Sequence, residues 1–302
     1  MAPIDNIIAL AKDLFWVKAP EKGKYPYCNG FLITGSQNLL IDAGMGKEMI
    51  QEVDSFKRID ILLISHSHPD HMLRWHLLKD RHIMMPAETP ESVTDFSKLA
   101  LRFTGSEEAS VHWIKRVREV LKLEPLRIPD SRFGDGDTID LGGPVLKAIH
   151  APGHLNDHYC FYFRNSVLLT TDIDFDSFGP WYGNPESDID LFKRSIRKVR
   201  EYPFDLVCGS HKPPIPAKDA NQAFDDYLAI FEQRKQQILD LFDGPKSFAD
   251  LVEASPFYRN KMPDKNLQFV FEGRMIQKNL DLLSAEGRIK SEGGVYERTD
   301  GI

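Results

Sequence analysis

Residues Ile61-Leu62-Leu63-Ile64 are followed, after Ser65, by His66-Ser67-His68-Pro69-Asp70-His71. A short apolar run bounded by turn residues reads as a buried strand. Its end delivers three imidazoles and a carboxylate onto one loop within six positions. A lone histidine is more often a packing residue than a ligand, and ten are spread over this chain. Four ligand-type side chains at one strand end go well beyond that background. Neutral imidazoles and carboxylates suit zinc, manganese and iron, so the loop reads as part of a catalytic metal centre rather than a thiolate-closed structural site.

At this spacing the loop resembles the H-x-H-x-D-H signature of the metallo-β-lactamase fold hydrolases, a family that completes its site with three ligands from far downstream. Three strand ends answer that requirement. Ala151-Pro152-Gly153-His154 follows the apolar segment Val145–Ile149, Leu168-Leu169-Thr170-Thr171 runs into Asp172, and Leu206-Val207-Cys208-Gly209-Ser210 runs into His211. Carried over position by position, the resemblance implies one metal held by His66, His68 and His154. It implies a second held by Asp70, His71 and His211, with Asp172 bridging the two. It also implies an α/β (α+β) fold, the four-layer αββα sandwich, with strand ends lining one rim. His68 stands where the flavodiiron branch has Glu. His71 stands in place of Arg, and Asp172 in place of the cysteine ligand of some β-lactamases, which separates the chain from those branches.

At 302 residues the chain suits one large domain and a smaller one. No stretch approaches the ~20 consecutive apolar residues of a membrane span. Met1-Ala2-Pro3-Ile4-Asp5-Asn6 has no basic segment and no long apolar core, so no export signal is read there. Cys28, Cys160 and Cys208 are odd in number and widely separated, which gives no disulfide framework and favours a reducing, cytoplasmic setting. A net charge of −7 does not attract a polyanion, so nucleic acid is a disfavoured partner and a small molecule the favoured one.

Tyr25–Thr34 and Asn38–Ile41 read as two strands joined at Gly35-Ser36, and Asp42-Ala43-Gly44-Met45-Gly46 as a turn into a helix near Lys47. In the family a similar Asp-x-Gly turn lies beneath the site. His71–Leu78 reads as a short helix. The interval from His71 to His154 is 154 − 71 = 83 positions, long for a compact glyoxalase II-like domain. An inserted pair of helices within 90–123 accounts for the excess, because Val93, Phe96, Leu99, Ala100 and Phe103, then Val111, Ile114, Val117, Val120 and Leu121, keep a 3.6-residue period. This insertion would be a lid over the metals or a homodimer surface. Residues 1–216 form the expected catalytic domain. Residues 217–302 read as a long helix, two more helices and a small β element, a winged-helix-like appendage. Lys193, Arg197 and Arg200 share one face of a helix over 187–200, a face suited to phosphate or simply to solvent.

The resemblance implies two divalent cations, zinc first among them, with iron or manganese as alternatives. They would stabilise a bridging hydroxide as nucleophile and polarise the scissile carbonyl. Asp70 is the expected proton shuttle, and Tyr182, ten residues after Asp172, is a candidate to stabilise the oxyanion. Asp42, Asp157 and Asp174 are candidates to accept from the far nitrogens of the histidines. His158 reads as a supporting or packing residue, and Lys212 as an anion contact or a surface lysine. The leading function is hydrolysis of an ester, thioester or lactone of a small metabolite. The rivals are an RNase Z-like phosphodiesterase and a mononuclear-iron persulfide dioxygenase, which resembles the site in its first three histidines and its bridging Asp.

Overall fold

A computed structural model describes residues 5–299, so most of the stretch read for an export signal lies outside the described residues. The first half builds a seven-stranded sheet hydrogen-bonded in chain order: β1 (Ile7–Ala11), β2 (Leu14–Val17), β3 (Gly30–Ile33), β4 (Leu39–Ile41), β5 (Ile61–Leu63), β6 (His82–Pro86) and β7 (Ser131–Phe133). From β4 onward the neighbours are parallel, which requires crossovers. Helix α1 (Lys47–Phe56) makes the first, and α2 (Phe96–Thr104) with α3 (Glu107–Lys115) lie in the connection between β6 and β7. Asp95 and Ser106 cap these two helices by accepting from the backbone of their first turns. They are the inserted pair expected from the periodicity.

The second sheet has six strands: β8 (Thr138–Asp140), β9 (Val145–His150), β10 (Tyr159–Phe163), β11 (Val167–Thr171), β12 (Leu206–Gly209) and β13 (Ile215–Pro216), again adjacent in chain order. Helix α4 (Ile189–Arg200), capped by Asp188, crosses between β11 and β12 and makes them parallel. The chain ends with α5 (Ala217–Leu239), β14 (Lys246–Ser247), α6 (Phe248–Ala254), α7 (Lys265–Ala285), β15 (Ile289–Glu292) and β16 (Val295–Arg298). The three short strands form their own antiparallel sheet, as a winged-helix-like unit would.

Three apolar clusters stack through the molecule, and their order gives the αββα layering. Phe31, Ile33, Leu39, Leu63, Phe161 and Leu169 fill the space between the sheets. Leu40, Leu62 and Ile64 face outward onto Ile50 and Val53 of α1. Leu168 and Val207 face outward on the other side onto Phe192 and Ile196 of α4. Strand alternation makes this possible, since successive side chains of each strand serve different layers. The C-terminal helices share these clusters: Phe224 and Phe231 of α5 join the α4 layer, while Leu267 and Phe271 of α7 join the layer containing Phe96 and Leu99 of α2. Among the described residues no helix is long and apolar enough to cross a membrane.

Local differences from the sequence reading have identifiable causes. β1 and β2 were not expected, because their turn at Lys12-Asp13 lacks Gly or Pro and relies on Asp13 at φ 65°. Tyr25–Asn29 is not strand. It bends so that Asn29 donates to the Ser210 carbonyl at 2.9 Å and the Gly23 carbonyl reaches His211. Only Trp75–Leu78 is helical within 71–78, and as a single 3₁₀ turn, because residues 66–71 turn their side chains together instead of continuing a regular helix.

Gly44 lets the Asp42–Met45 turn fit beneath the histidine loop. A Cβ there would lie 2.1 Å from the Asp70 carbonyl oxygen and 2.3 Å from Cys28 Sγ. Both neighbours are buried and one is backbone, so the Gly44→Ala protein is expected to lose about 1–3 kcal/mol of stability. Denaturant unfolding measures that loss. Metal content measured alongside should fall, because the displaced carbonyl belongs to Asp70.

Candidate metal centre

All seven residues expected as ligands converge at one rim of the two sheets, at the ends of β5, β9, β11 and β12. In the first group His68 Nδ1 lies 3.1 Å from His66 Nε2 and 2.8 Å from His154 Nε2. Asp172 Oδ2 lies 3.6 Å from His66 Nε2 and 3.3 Å from His154 Nε2. In the second group His71 Nε2 and His211 Nε2 lie 3.7 and 3.4 Å from Asp70 Oδ2. The other oxygen of Asp172 faces them at 2.9 and 3.6 Å. Asp172 therefore points one oxygen into each group. Six of the seven are buried, with His211 at the edge.

The outer nitrogens fix which inner atoms carry lone pairs. His71 Nδ1 faces Asp42 Oδ2 at 2.8 Å, His154 Nδ1 the Trp181 carbonyl at 2.8 Å, and His211 Nδ1 the Gly23 carbonyl at 2.6 Å. Those oxygens only accept, so each Nδ1 donates its proton and each Nε2 is the atom turned inward to meet a cation. His71 Nε2 and Asp172 Oδ1 are both buried and lack any hydrogen-bond partner. Two unpartnered acceptors 2.9 Å apart repel unless a proton or a cation lies between them. Nitrogen and carboxylate oxygen in this arrangement fit divalent metal ions.

The electrostatics differ between the groups. Burial and neighbouring histidines push the His66 and His68 imidazoles well below their ordinary range, so they stand neutral and ready to coordinate. Burial also opposes charge on His71 and His211, but the carboxylates around them prevail. His71 is held well above its usual value, and His211 is raised to about 10, with Asp172 the strongest influence after burial.

The supporting residues sort themselves in the structure. Asp42 accepts from Ser65 N and Ser65 Oγ as well as orienting His71. Asp157 touches no ligand histidine; it accepts from Thr89 and Arg102. Arg102, on α2, also donates to Ser67 Oγ and thereby ties the insertion to the histidine loop. Asp174 accepts from Tyr227, and burial raises its pKa to about 6. His158 supports Asp172 from behind, accepting from its backbone N–H at 3.2 Å. Asn184 faces the outer nitrogen of His68 at 2.9 Å. Lys212 pairs with Asp176. Cys28 is buried beside His71, its thiol pushed up by burial to about 12.

Tyr182 is not brought to the centre. It is fully buried, stacks on Phe231, and accepts from Asn279 at its hydroxyl. Its neighbour Trp181 faces the metal ligands instead, and the phenols on the cavity wall are those of Tyr25 and Tyr258, the latter's hydroxyl accepting from Trp181 Nε1 at 2.6 Å. Nothing local in the sequence singles out Trp181, Asn184 or Tyr258, since each reaches the site through a loop or the last helices.

The sequence profile described as the metallo-beta-lactamase superfamily matches residues 25–211. The chain belongs to that family. A metallo-beta-lactamase family protein from Thermus thermophilus superimposes with a TM-score of 0.74 at 20% identity, covering 96% of this chain and 100% of that one. A hydroxyacylglutathione hydrolase of Francisella philomiragia is 27% identical over 46% of this chain and 57% of its own length. A human acyl-coenzyme A thioesterase is 25% identical over 56% of this chain and 66% of its own. The chain thus spans between half and two thirds of these two relatives.

Loading the centre with metal should release protons, because His211, raised to about 10, carries one at pH 8 in the metal-free protein and must give it up to coordinate. Calorimetric titration in buffers of different ionisation enthalpy reads the number released, and apparent affinity should weaken as pH falls. Elemental analysis should show less bound metal in both His211→Ala and Asp172→Ala, with the larger loss in Asp172→Ala, because Asp172 faces both groups of imidazoles.

Proposed function

We propose that the protein is a dinuclear metal-dependent hydrolase acting on an ester, thioester or lactone of a small metabolite, with a thioester the favoured substrate. The class, a metal-dependent hydrolase, follows from family membership together with the complete donor set. The single observation that carries the dinuclear reading is the Asp172 carboxylate, with one oxygen toward each group of imidazoles. Two divalent cations held by His66, His68 and His154, and by Asp70, His71 and His211, would supply an acidified water and polarise the scissile carbonyl. Zinc is the proposed metal.

The chain's own residues do the rest. Asp70 lines the cavity beside His68, His154, Asp172 and His211, where its carboxylate is placed to take the proton from the attacking water and return it to the leaving group. Asp42 and the carbonyls of Trp181 and Gly23 hold three imidazoles in one orientation throughout. Phe103 and Trp181 flank His68 and exclude water from that side. Thioesters are favoured because two relatives named above act on such bonds by their printed names.

A phosphodiesterase draws less support. Two of the three cations on the basic face of α4 are engaged with α5, Lys193 on Glu232 and Arg200 on Asp225, which leaves Arg197 alone to meet a phosphate. A mononuclear dioxygenase has no use for the second group of donors.

Replacing Asp70 by Ala should reduce kcat on a thioester by about 10²–10⁴ with the circular dichroism spectrum intact. Full activity in that variant would remove Asp70 from the mechanism. One iron per chain with oxygen uptake would replace the hydrolase by the dioxygenase.

A further inference from the structure

The donors sit at the floor of a cavity of about 990 Å³. Its walls do not come from the sheets. Phe103 and Trp113 belong to the 90–123 insertion, Phe271 to α7, and Trp181 to the loop after β11. These rings form a continuous apolar track beginning at the metal ligands. Phe103 and Trp181 lie 5.5 and 5.2 Å from the His68 ring, Trp113 lies 5.6 Å from Phe103, and Phe271 lies 5.6 Å from Trp181. Phe103, Trp113 and Phe271 are at most 8% exposed, so their faces are already packed and the track is preformed.

Part of the remaining lining has the opposite character. Lys24, Arg116, Arg259 and Lys261 line the same cavity, and all but the half-buried Arg116 are exposed, while a fifth cation of the wall, the buried Arg234, is spent on the Pro180 and Phe178 carbonyls. Among the described residues no acidic side chain forms an ion pair with any of these four. The acids that line the cavity are committed: Asp70 and Asp172 to the imidazoles, Asp174 to Tyr227, Asp176 to Lys212. Four cations without an acidic partner are therefore gathered at one cavity on a chain of net charge −7. A cleft lined with one sign of charge and low-dielectric walls concentrates ligands of the opposite sign.

Resting on the hydrolase reading above, we propose that the substrate is a thioester joining an apolar acyl group, seated on the aromatic track, to a polyanionic thiol carrier held by Lys24, Arg116, Arg259 and Lys261. Hydrolysis adds water across the C–S bond: the hydroxyl goes to the acyl carbon and the proton to the departing sulfur, giving a carboxylate and a free thiol. Phosphate and carboxylate can both supply the anionic charge, and the test separates them.

The zinc-loaded protein is assayed with one octanoyl group carried by N-acetylcysteamine, which is neutral, by glutathione, which bears carboxylates, and by coenzyme A, which bears phosphates. The expected kcat/KM on one charged carrier exceeds the neutral one by about tenfold or more, with the excess falling as salt rises. The charged carrier that wins identifies the anion. In Arg259→Glu/Lys261→Glu, whose exposed side chains leave folding intact, the charged-to-neutral ratio is expected to collapse toward one through KM. On the neutral carrier, kcat/KM is expected to rise from acetyl to octanoyl. Equal kcat/KM on all three carriers, a ratio unmoved by the double variant, or no gain with acyl length overturns this inference while leaving the hydrolase standing. No turnover of any of the thioesters would overturn the thioesterase reading and this inference with it.

Discussion

The carboxylate of Asp172 is wedged among four imidazoles. His71 Nε2 and Asp172 Oδ1, both buried, face each other at 2.9 Å, a separation that only a shared proton or a cation makes favourable. Left alone such a cluster is unfavourable, because buried acceptors need a donor or a cation. Much of the surrounding structure is arranged to hold these groups together. Asp42 and the backbone carbonyls of Trp181 and Gly23 turn the imidazoles inward. His158 and Thr171 hold the Asp172 backbone from behind. Gly44 and the bend at Tyr25–Asn29 leave room for this packing and close the cluster on the sheet side.

The two-sheet architecture supplies what one strand could not. β5, β9, β11 and β12 end at the same rim, so ligands as far apart in the chain as His66 and His211, 211 − 66 = 145 positions, meet in one cluster. Catalytic groups on loops at strand ends are free to vary in function while the sheet beneath stays rigid. In this chain the parts added over the sheets are the insertion and the last three helices. Both contribute to the cavity wall, and Arg102 ties the insertion to the histidine loop through Ser67. The final region shares apolar clusters with the layers over both sheets, and its last helix contributes to the cavity wall.

Much of the centre was legible in the sequence because metal chemistry restricts residue types and strand termini restrict positions. His66, His68, Asp70, His71, His154, Asp172 and His211 each follow an apolar run or close a short motif, and the structure brings all seven together. Asp42 was readable from its turn. The layered fold and the inserted helices followed from periodicity, since both depend on local spacing of apolar residues. The first hairpin was not readable, because its turn lacks the usual residues.

Tyr182 shows where sequence reasoning stops. Its distance along the chain from Asp172 suggested a place at the centre, yet packing of α5 and α7 draws it into the core against Phe231 and Asn279, and Trp181 takes the position facing the ligands. The sequence by itself determined the metal-binding chemistry, the layered fold and the family, because each rests on residue type at short spacing. The tertiary structure alone decided what surrounds the metals. An aromatic track and four cations without acidic partners are assembled from the 90–123 insertion, three loops and the last helix, segments far apart in the chain whose meeting depends on how helices pack over the sheets.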